Sequence, residues 1–339
     1  MWKLVTQATS LMMVTPNLVF FVSFIFFSVF LVSSSSSWLV CWVGVELNTM
    51  AFIPLMLLSK TGREAEAGVK YFLVQTMASV LFLVGVLGLK LHPDFFFNLL
   101  VVGLMIKMGV APFHNWVLSV GEALAWVPLY LMLTLQKVNP LVLFVSSGWT
   151  SDMVVLGVIF SIFVGGVMGL SHTNLRKLVI FSSISHLGWL LISVSVSTFA
   201  LFIYFSIYCA ILIPVIYFFY FSNVSYLNQF SSLPVSMTWL LALSISLLSL
   251  GGLPPFLGFF PKWLVLSQLM ASGNYLLSIL LVNTSLLTLF YYLRISYSGF
   301  IMAKLVNSPY WNFNKAYSLT LLSLMMTLSL GGFMLVCLY

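Results

Sequence analysis

Residues Phe199 to Phe221 read FALFIYFSIYCAILIPVIYFFYF, a run that is apolar on every face. A membrane-spanning β-strand would alternate apolar and polar residues, so this run predicts a helix surrounded by lipid or by other helices. Similar runs, each of about 17 to 25 residues, follow one another along the chain. At 1.5 Å of rise per residue, each can cross a hydrocarbon layer of about 30 Å.

Composition leads to the same class. The 339 residues are 62% hydrophobic and 6% charged, so the groups needed to face water around a soluble core are missing. The expectation is an all-α polytopic membrane protein forming one domain over residues 1–339. Eleven spans are predicted: Leu11 to Leu31, Ser37 to Leu58, Gly68 to Leu89, Phe95 to Val110, Ala125 to Ser146, Val154 to Leu170, Leu178 to Val196, Phe199 to Ser222, Met237 to Met270 with an interruption, Tyr275 to Leu293 and Tyr317 to Leu338.

An odd number of spans puts the termini on opposite sides, and the loop charges test the count. Lys3, Lys60, Arg63, Arg176, Lys177, Arg294, Lys304 and Lys315 fall on one side, and Lys90 alone on the other. Cationic loops stay inside, so the N-terminus is expected inside and Tyr339 outside. Topology therefore accounts for the net charge of +7, and the Lys and Arg residues do not gather with exposed aromatics as a nucleic-acid surface would. Met1 to Ser10 carries no secretory or transit pattern. The connection Arg294 to Ala316 sets Arg294, Lys304 and Lys315 among Tyr297, Phe300, Ile301 and Trp311, which fits an interfacial segment or a docking surface.

Two interruptions resemble each other. Gly109-Val-Ala-Pro112-Phe113 and Gly252-Leu-Pro-Pro255-Phe256 share a Gly-x-x-Pro-Phe pattern 143 positions apart. Proline removes a backbone donor and glycine permits unusual dihedrals, so both predict broken helices. Paired broken helices in two halves point to an internal repeat around an ion path; two unrelated proline kinks are the alternative.

Ionisable groups at bilayer depth are the strongest chemical signal, because each costs about 3 kcal/mol at a helix centre. Glu46 lies midway along the second span. Lys107 precedes the first break by two residues, Lys137 precedes Asn139 and Pro140, His186 follows a serine-rich turn, and Lys262 follows Pro261 in the second broken segment. Lysines in dry sites gain and lose protons under the influence of a nearby carboxylate, and a neutral imidazole can donate and accept, so together they suit a proton relay. The alternatives stay open at each site: a static Glu46–Lys107 pair, snorkelling Lys137 and Lys262, and a packing role for His186. Lys70 and His114 are weaker candidates, Lys70 for snorkelling and His114 beside the first break. Glu64, Glu66, Asp94 and Asp152 read as loop charges, and Glu122 is ambiguous.

Other signals are slight. Cys41, Cys209 and Cys337 fit no metal or redox spacing and read as packing residues. Gly165 and Gly169 have the spacing of close helix packing. No nucleotide-binding glycine pattern occurs, so neither a cofactor nor a metal is expected in this chain.

Six blocks in order carry a family resemblance. They are Trp42-Val-Gly-Val-Glu46-Leu-Asn48 with Phe52-Ile-Pro54, Lys70 to Gln75, Lys107 to Trp116, Leu135 to Pro140, Ser182 to Trp189, and Gly251 to Phe256 continuing through Lys262-Trp263. Together they resemble the antiporter-like, proton-pumping chain 2 family of mitochondrial NADH:ubiquinone oxidoreductase, respiratory complex I, over nearly the whole chain. The resemblance implies an antiporter-like fold with inverted repeats, in the shortened animal form. It also implies a multi-pass protein of the mitochondrial inner membrane, with its N-terminus in the matrix and its C-terminus in the intermembrane space. Glu46, Lys107, Lys137, His186 and Lys262 would form the proton-translocating axis. NADH, FMN, iron-sulfur clusters and ubiquinone would belong to partner subunits, and the partners would be other membrane-arm and accessory subunits and phospholipids. A stand-alone cation/proton antiporter and a structural scaffold are the rival readings.

Overall fold

A computed structural model describes residues 16–57, 61–147, 152–232 and 237–303. Its helices are α1 (Pro16–Ser34), α2 (Trp38–Met56), α3 (Gly62–Gly88), α4 (Pro93–Met108), α5 (Asn115–Ala123), α6 (Trp126–Leu133), α7 (Leu135–Ser147), α8 (Asp152–Ser171), α9 (Leu175–Val196), α10 (Thr198–Ser222), α11 (Met237–Gly251), α12 (Phe259–Ala271) and α13 (Tyr275–Ala303). Among the described residues, seven spans are long and apolar enough to cross a membrane, with α6 and α7 together forming one of them. Val19–Ser34 and Thr238–Gly251 are shorter apolar helices. The predicted span Tyr317 to Leu338 and Cys337 lie outside the described residues.

Local chemistry starts the helices where the loops end. The side chains of Thr61, Asn174 and Ser197 accept from the backbone N–H groups of Glu64, Arg176 and Ala200, and Pro93 opens α4, where its missing donor costs nothing. Within the apolar helices, serines fold back on their own chain. Ser182, Ser183 and Ser185 donate to Val179, Ile180 and Ser182 carbonyls at 2.8, 2.7 and 2.7 Å, so these three hydroxyls are not left bare in the interior.

Helix α9 is the axis of the fold, buried from Leu175 through Ser193 except at Arg176 and Lys177, with α5, α7, α8, α10, α12 and α13 packed around it. Close approach depends on small residues. A Cβ on Gly165 of α8 would sit 2.6 Å from the Ser185 nitrogen and 2.7 Å from the Phe181 oxygen of α9, which is backbone that cannot step aside. Gly169, one turn on, accepts the ring of Tyr291 from α13.

One end of the bundle gathers Arg176, Lys177 and Arg294, with Arg63 at the start of α3. Arg294 donates to the Leu170 and His172 carbonyls at 2.8 and 2.6 Å, capping the end of α8. Lys177 pairs with Glu122 at 2.8 Å, Asn174 donates to the same carboxylate at 3.2 Å, and Arg176 donates to the Glu122 carbonyl at 2.9 Å. Glu122 is thus a fastening at the bundle end, where α5 meets α9. The loop residue His172 stacks on Phe181, and its imidazole is held below its ordinary range by burial and by the Lys177 cation, with Glu122 opposing them.

Both predicted breaks are present. Gly109 and Gly252 take left-handed backbone at φ 74° and 77°, and each closes its helix with a back-turned pair of hydrogen bonds: Gly109 and Val110 to Ile106 and Met105, Gly252 and Leu253 to Ser249 and Leu248. Trp116 donates its indole N–H to the Ile106 carbonyl at 3.0 Å, stitching α5 back onto the end of α4. Because α3 begins and α10 ends at the basic end, α4–α5 runs toward that end and α11–α12 runs away from it.

Three expectations change. Glu64, expected as a loop charge, is 2% exposed in the first turn of α3, because the capped helix starts at Gly62 and turns that position inward. The span Ala125 to Ser146 is jointed at Thr134: Pro140 has no N–H for the Gln136 carbonyl, and Lys137 donates instead to the Thr134 carbonyl three residues back. The segment Arg294 to Ala303, expected within a connection, continues α13 as helix.

Replacing Gly165 with leucine should overpack the α8–α9 seam and destabilise the protein by about 1 to 3 kcal/mol, seen as a lower thermal midpoint of the purified complex. Glu122→Gln should cost about 1 kcal/mol or less, since both partners of its ion pair are partly exposed, and should leave that midpoint nearly unchanged.

Candidate functional site

The five principal charged candidates fall on four different packing seams. Glu46 projects from α2 toward the end of α4, where its Oε1 stands 3.8 Å from Lys107 Nζ. The lysine side chain is 2% exposed and the glutamate 19%, so the pair is enclosed on the lysine side. Thr49 donates to Glu46 Oε2 at 3.4 Å and to the Glu46 carbonyl at 2.8 Å. Gln75 of α3 donates to the Lys107 carbonyl at 3.4 Å, close to the break that leaves the last carbonyls of α4 without helical partners.

Among the described residues, no carboxylate pairs with Lys137. Three residues past the joint at Thr134, its ammonium donates to the Ser183 carbonyl of α9 at 3.4 Å and lies 5.1 Å from the centroid of the Tyr208 ring of α10. Backbone oxygen and an aromatic face replace a counter-ion.

Lys262 is placed the same way. Its ammonium donates to the Gly251 and Leu250 carbonyls at 2.9 and 3.4 Å, at the free end of α11, and lies 5.7 Å from the Trp189 ring of α9. The carbonyl end of a helix carries partial negative charge and holds a cation well. Glycine at 252 is required twice: for its left-handed backbone, and because a Cβ there would lie 2.8 Å from Lys262 Cδ.

His186 stands between the two lysine sites. Its Nδ1 is 2.9 Å from the Tyr204 hydroxyl, and its ring lies 5.1 Å from that of Tyr208, the ring that faces Lys137. A gap of about 10 Å³, lined by His186, Tyr204, Tyr208, Ser249, Leu250 and Pro261, separates it from the carbonyls that hold Lys262. That volume is near the minimum for one water. Lys137 and His186 thus approach the same Tyr208 ring, and Leu250, whose carbonyl accepts from Lys262, lines the gap beside His186.

The other candidates stand apart. Lys70 is exposed on the outer surface of α3, and His114 is half-buried in the first break with an enclosed Nδ1 that meets no partner. Sequence reasoning missed Tyr204 and Tyr208, which read as two more aromatics in an apolar run; their spacing of four places both on one helix face, and that was the available signal. It also missed the amide chain in which Tyr71 donates to Gln136 at 3.0 Å and Gln136 to Asn48 at 3.2 Å. Among the described residues, no three His, Cys, Asp or Glu side chains gather as metal ligands would.

The chain is similar to known proteins along most of its length. Residues 35–92 and 90–288 match the family described as NADH:quinone oxidoreductase/Mrp antiporter, TM. NADH-ubiquinone oxidoreductase chain 2 of Anopheles gambiae is 36% identical over 327 residues, 93% of this chain and 96% of the relative. The Branchiostoma floridae protein of the same name is 39% identical over 284 residues, 80% of this chain and 82% of the relative. A chain of respiratory complex I from Thermus thermophilus shares the fold, with a TM-score of 0.79 at 23% identity over 91% of this chain and 76% of that one. The chain belongs to the NADH:quinone oxidoreductase/Mrp antiporter transmembrane family, and within it to the NADH-ubiquinone oxidoreductase chain 2 group.

Proposed function

We propose that this chain is the antiporter-like membrane-arm subunit of NADH:ubiquinone oxidoreductase in the mitochondrial inner membrane, where it moves a proton through Glu46, Lys107, Lys137, His186 and Lys262. The drive comes from redox chemistry in partner subunits, which hold the NADH, flavin, iron-sulfur and ubiquinone sites. One observation carries the reading: Lys137 and Lys262 are buried at 3% and 6% exposure with no carboxylate paired to either among the described residues, and His186 stands between them. A static fastening has no need of two cations without counter-ions, whereas a relay needs groups whose charge can be switched.

Eleven spans and two inverted halves complete the proposed architecture. Both breaks use the same glycine turn, and their helices run in opposite directions, as inverted halves require. The basic end faces the matrix in this reading, in keeping with the placement of cationic loops. Moving one charge against 100 mV costs about 2.3 kcal/mol, so coupling to the rest of the complex is obligatory.

A scaffold reading has its own support in Lys262, which caps the end of α11. The two readings differ in measurable ways. In assembled complex reconstituted into vesicles, Lys107→Ala and Lys262→Ala should each lower the protons moved per electron; unchanged stoichiometry in both would remove the role assigned to them. A scaffold predicts instead that surviving complex pumps normally while its yield or thermal midpoint falls. Tyr204→Phe, which deletes only the hydroxyl at His186, should slow proton transfer with little loss of stability.

A further inference from the structure

Glu64 has no part in the axis described above, yet it is the most deeply buried of the described carboxylates for which an exposure is known, at 2%. Its Oε2 is enclosed and meets no hydrogen-bond partner among the described residues. The group stands at the basic end, where Arg176 feels its charge together with that of Glu122. A carboxylate oxygen enclosed without a hydrogen bond is costly even with a cation nearby, so its position asks for a purpose.

The face it shares with its neighbours supplies one. Glu64, Tyr71 and Gln75 are all buried on α3, at separations of seven and four residues, so they form one stripe about 16 Å long. Tyr71 at 1% exposure joins the amide chain through Gln136 to Asn48, two residues from Glu46, and Gln75 reaches the backbone of Lys107. Between Glu64 and Tyr71 the buried residues of this face are Ala67 and Gly68. Among the described residues, a Cβ added at Gly68 would meet Leu57 Cδ2 alone, at 3.7 Å, so this position accepts a side chain without a clash against them.

We infer that Glu64 takes up protons at the basic end of the bundle and hands them along the inner face of α3, past Gly68 and Tyr71, to the Glu46–Lys107 pair. A proton from bulk water adds to the Glu64 carboxylate to give the acid. It then leaves along water between Glu64 and Tyr71, and the carboxylate is restored. Tyr71, Gln136, Asn48 and Gln75 orient that water and do not change charge. The proton ends on Lys107 or Glu46, so the sum over one passage is the movement of one proton. This inference rests on the proposed role of the Glu46–Lys107 pair.

The test uses the assembled complex in sealed vesicles, with proton uptake and electron transfer measured together. Glu64→Gln should lower the protons moved per electron to the level of Lys107→Ala, while Glu66→Gln, at an exposed site two residues away, should match the wild type. Gly68→Leu, which keeps the carboxylate and places a bulky side chain on the face between Glu64 and Tyr71, should cause the same loss and covers the case in which Glu64→Gln fails to assemble. Wild-type stoichiometry in Glu64→Gln or Gly68→Leu, alongside a loss in Lys107→Ala, overturns the inference and leaves the axis standing. Wild-type stoichiometry in Lys107→Ala as well overturns both.

Discussion

Three buried lysines, of which Lys107 alone is paired with a carboxylate among the described residues, set the terms for everything around them. An ammonium taken out of water loses several kcal/mol of solvation, and a counter-ion recovers most of that when the geometry is good. Lys107 has one in Glu46, at 3.8 Å. Lys137 and Lys262 have only carbonyl oxygens and aromatic faces, so the helices must be shaped to bring those oxygens within reach. The joint at Thr134 and the break at Gly252 do this. Without them, Lys137 would lie elsewhere along α9, and no helix end would face Lys262.

Close packing supports the same arrangement. Gly252 leaves room for the Lys262 side chain at the end of α11, while Gly165 brings α8 against the backbone of α9 and Gly169 makes room for the Tyr291 ring. Folding back the serines of α9 leaves the helix polar in content and apolar in surface. Along the centre of the fold, stability and chemistry therefore draw on the same small residues.

Much of this was legible in the sequence, and the reasons can be stated residue by residue. Apolar runs marked the helices because lipid demands them, and the Gly-x-x-Pro-Phe echo marked both breaks because glycine and proline act on the backbone whatever surrounds them. The buried lysines stood out because charge is rare in such runs. Tyr204, Tyr208, Gln75 and Gln136 did not stand out, since their roles depend on which helix lies opposite, and residue types reveal nothing of that. Glu64 was misplaced for a related reason. Beside Arg63 and Glu66 it looks like a loop residue, and only the Thr61 cap, which fixes where α3 begins, turns it inward.

The opposed directions of the broken helices carry a consequence for energetics. Helices α4 and α11 enter from opposite ends of the bundle and both stop inside it, so their electronegative termini converge on the interior from two sides. A scaffold built this way treats the two membrane faces almost alike: the backbone field that draws a cation inward from one side draws it inward from the other. Under the proposed function, such a medium would conduct without preferring a direction, and rectification would then be a matter of timing imposed from outside this chain.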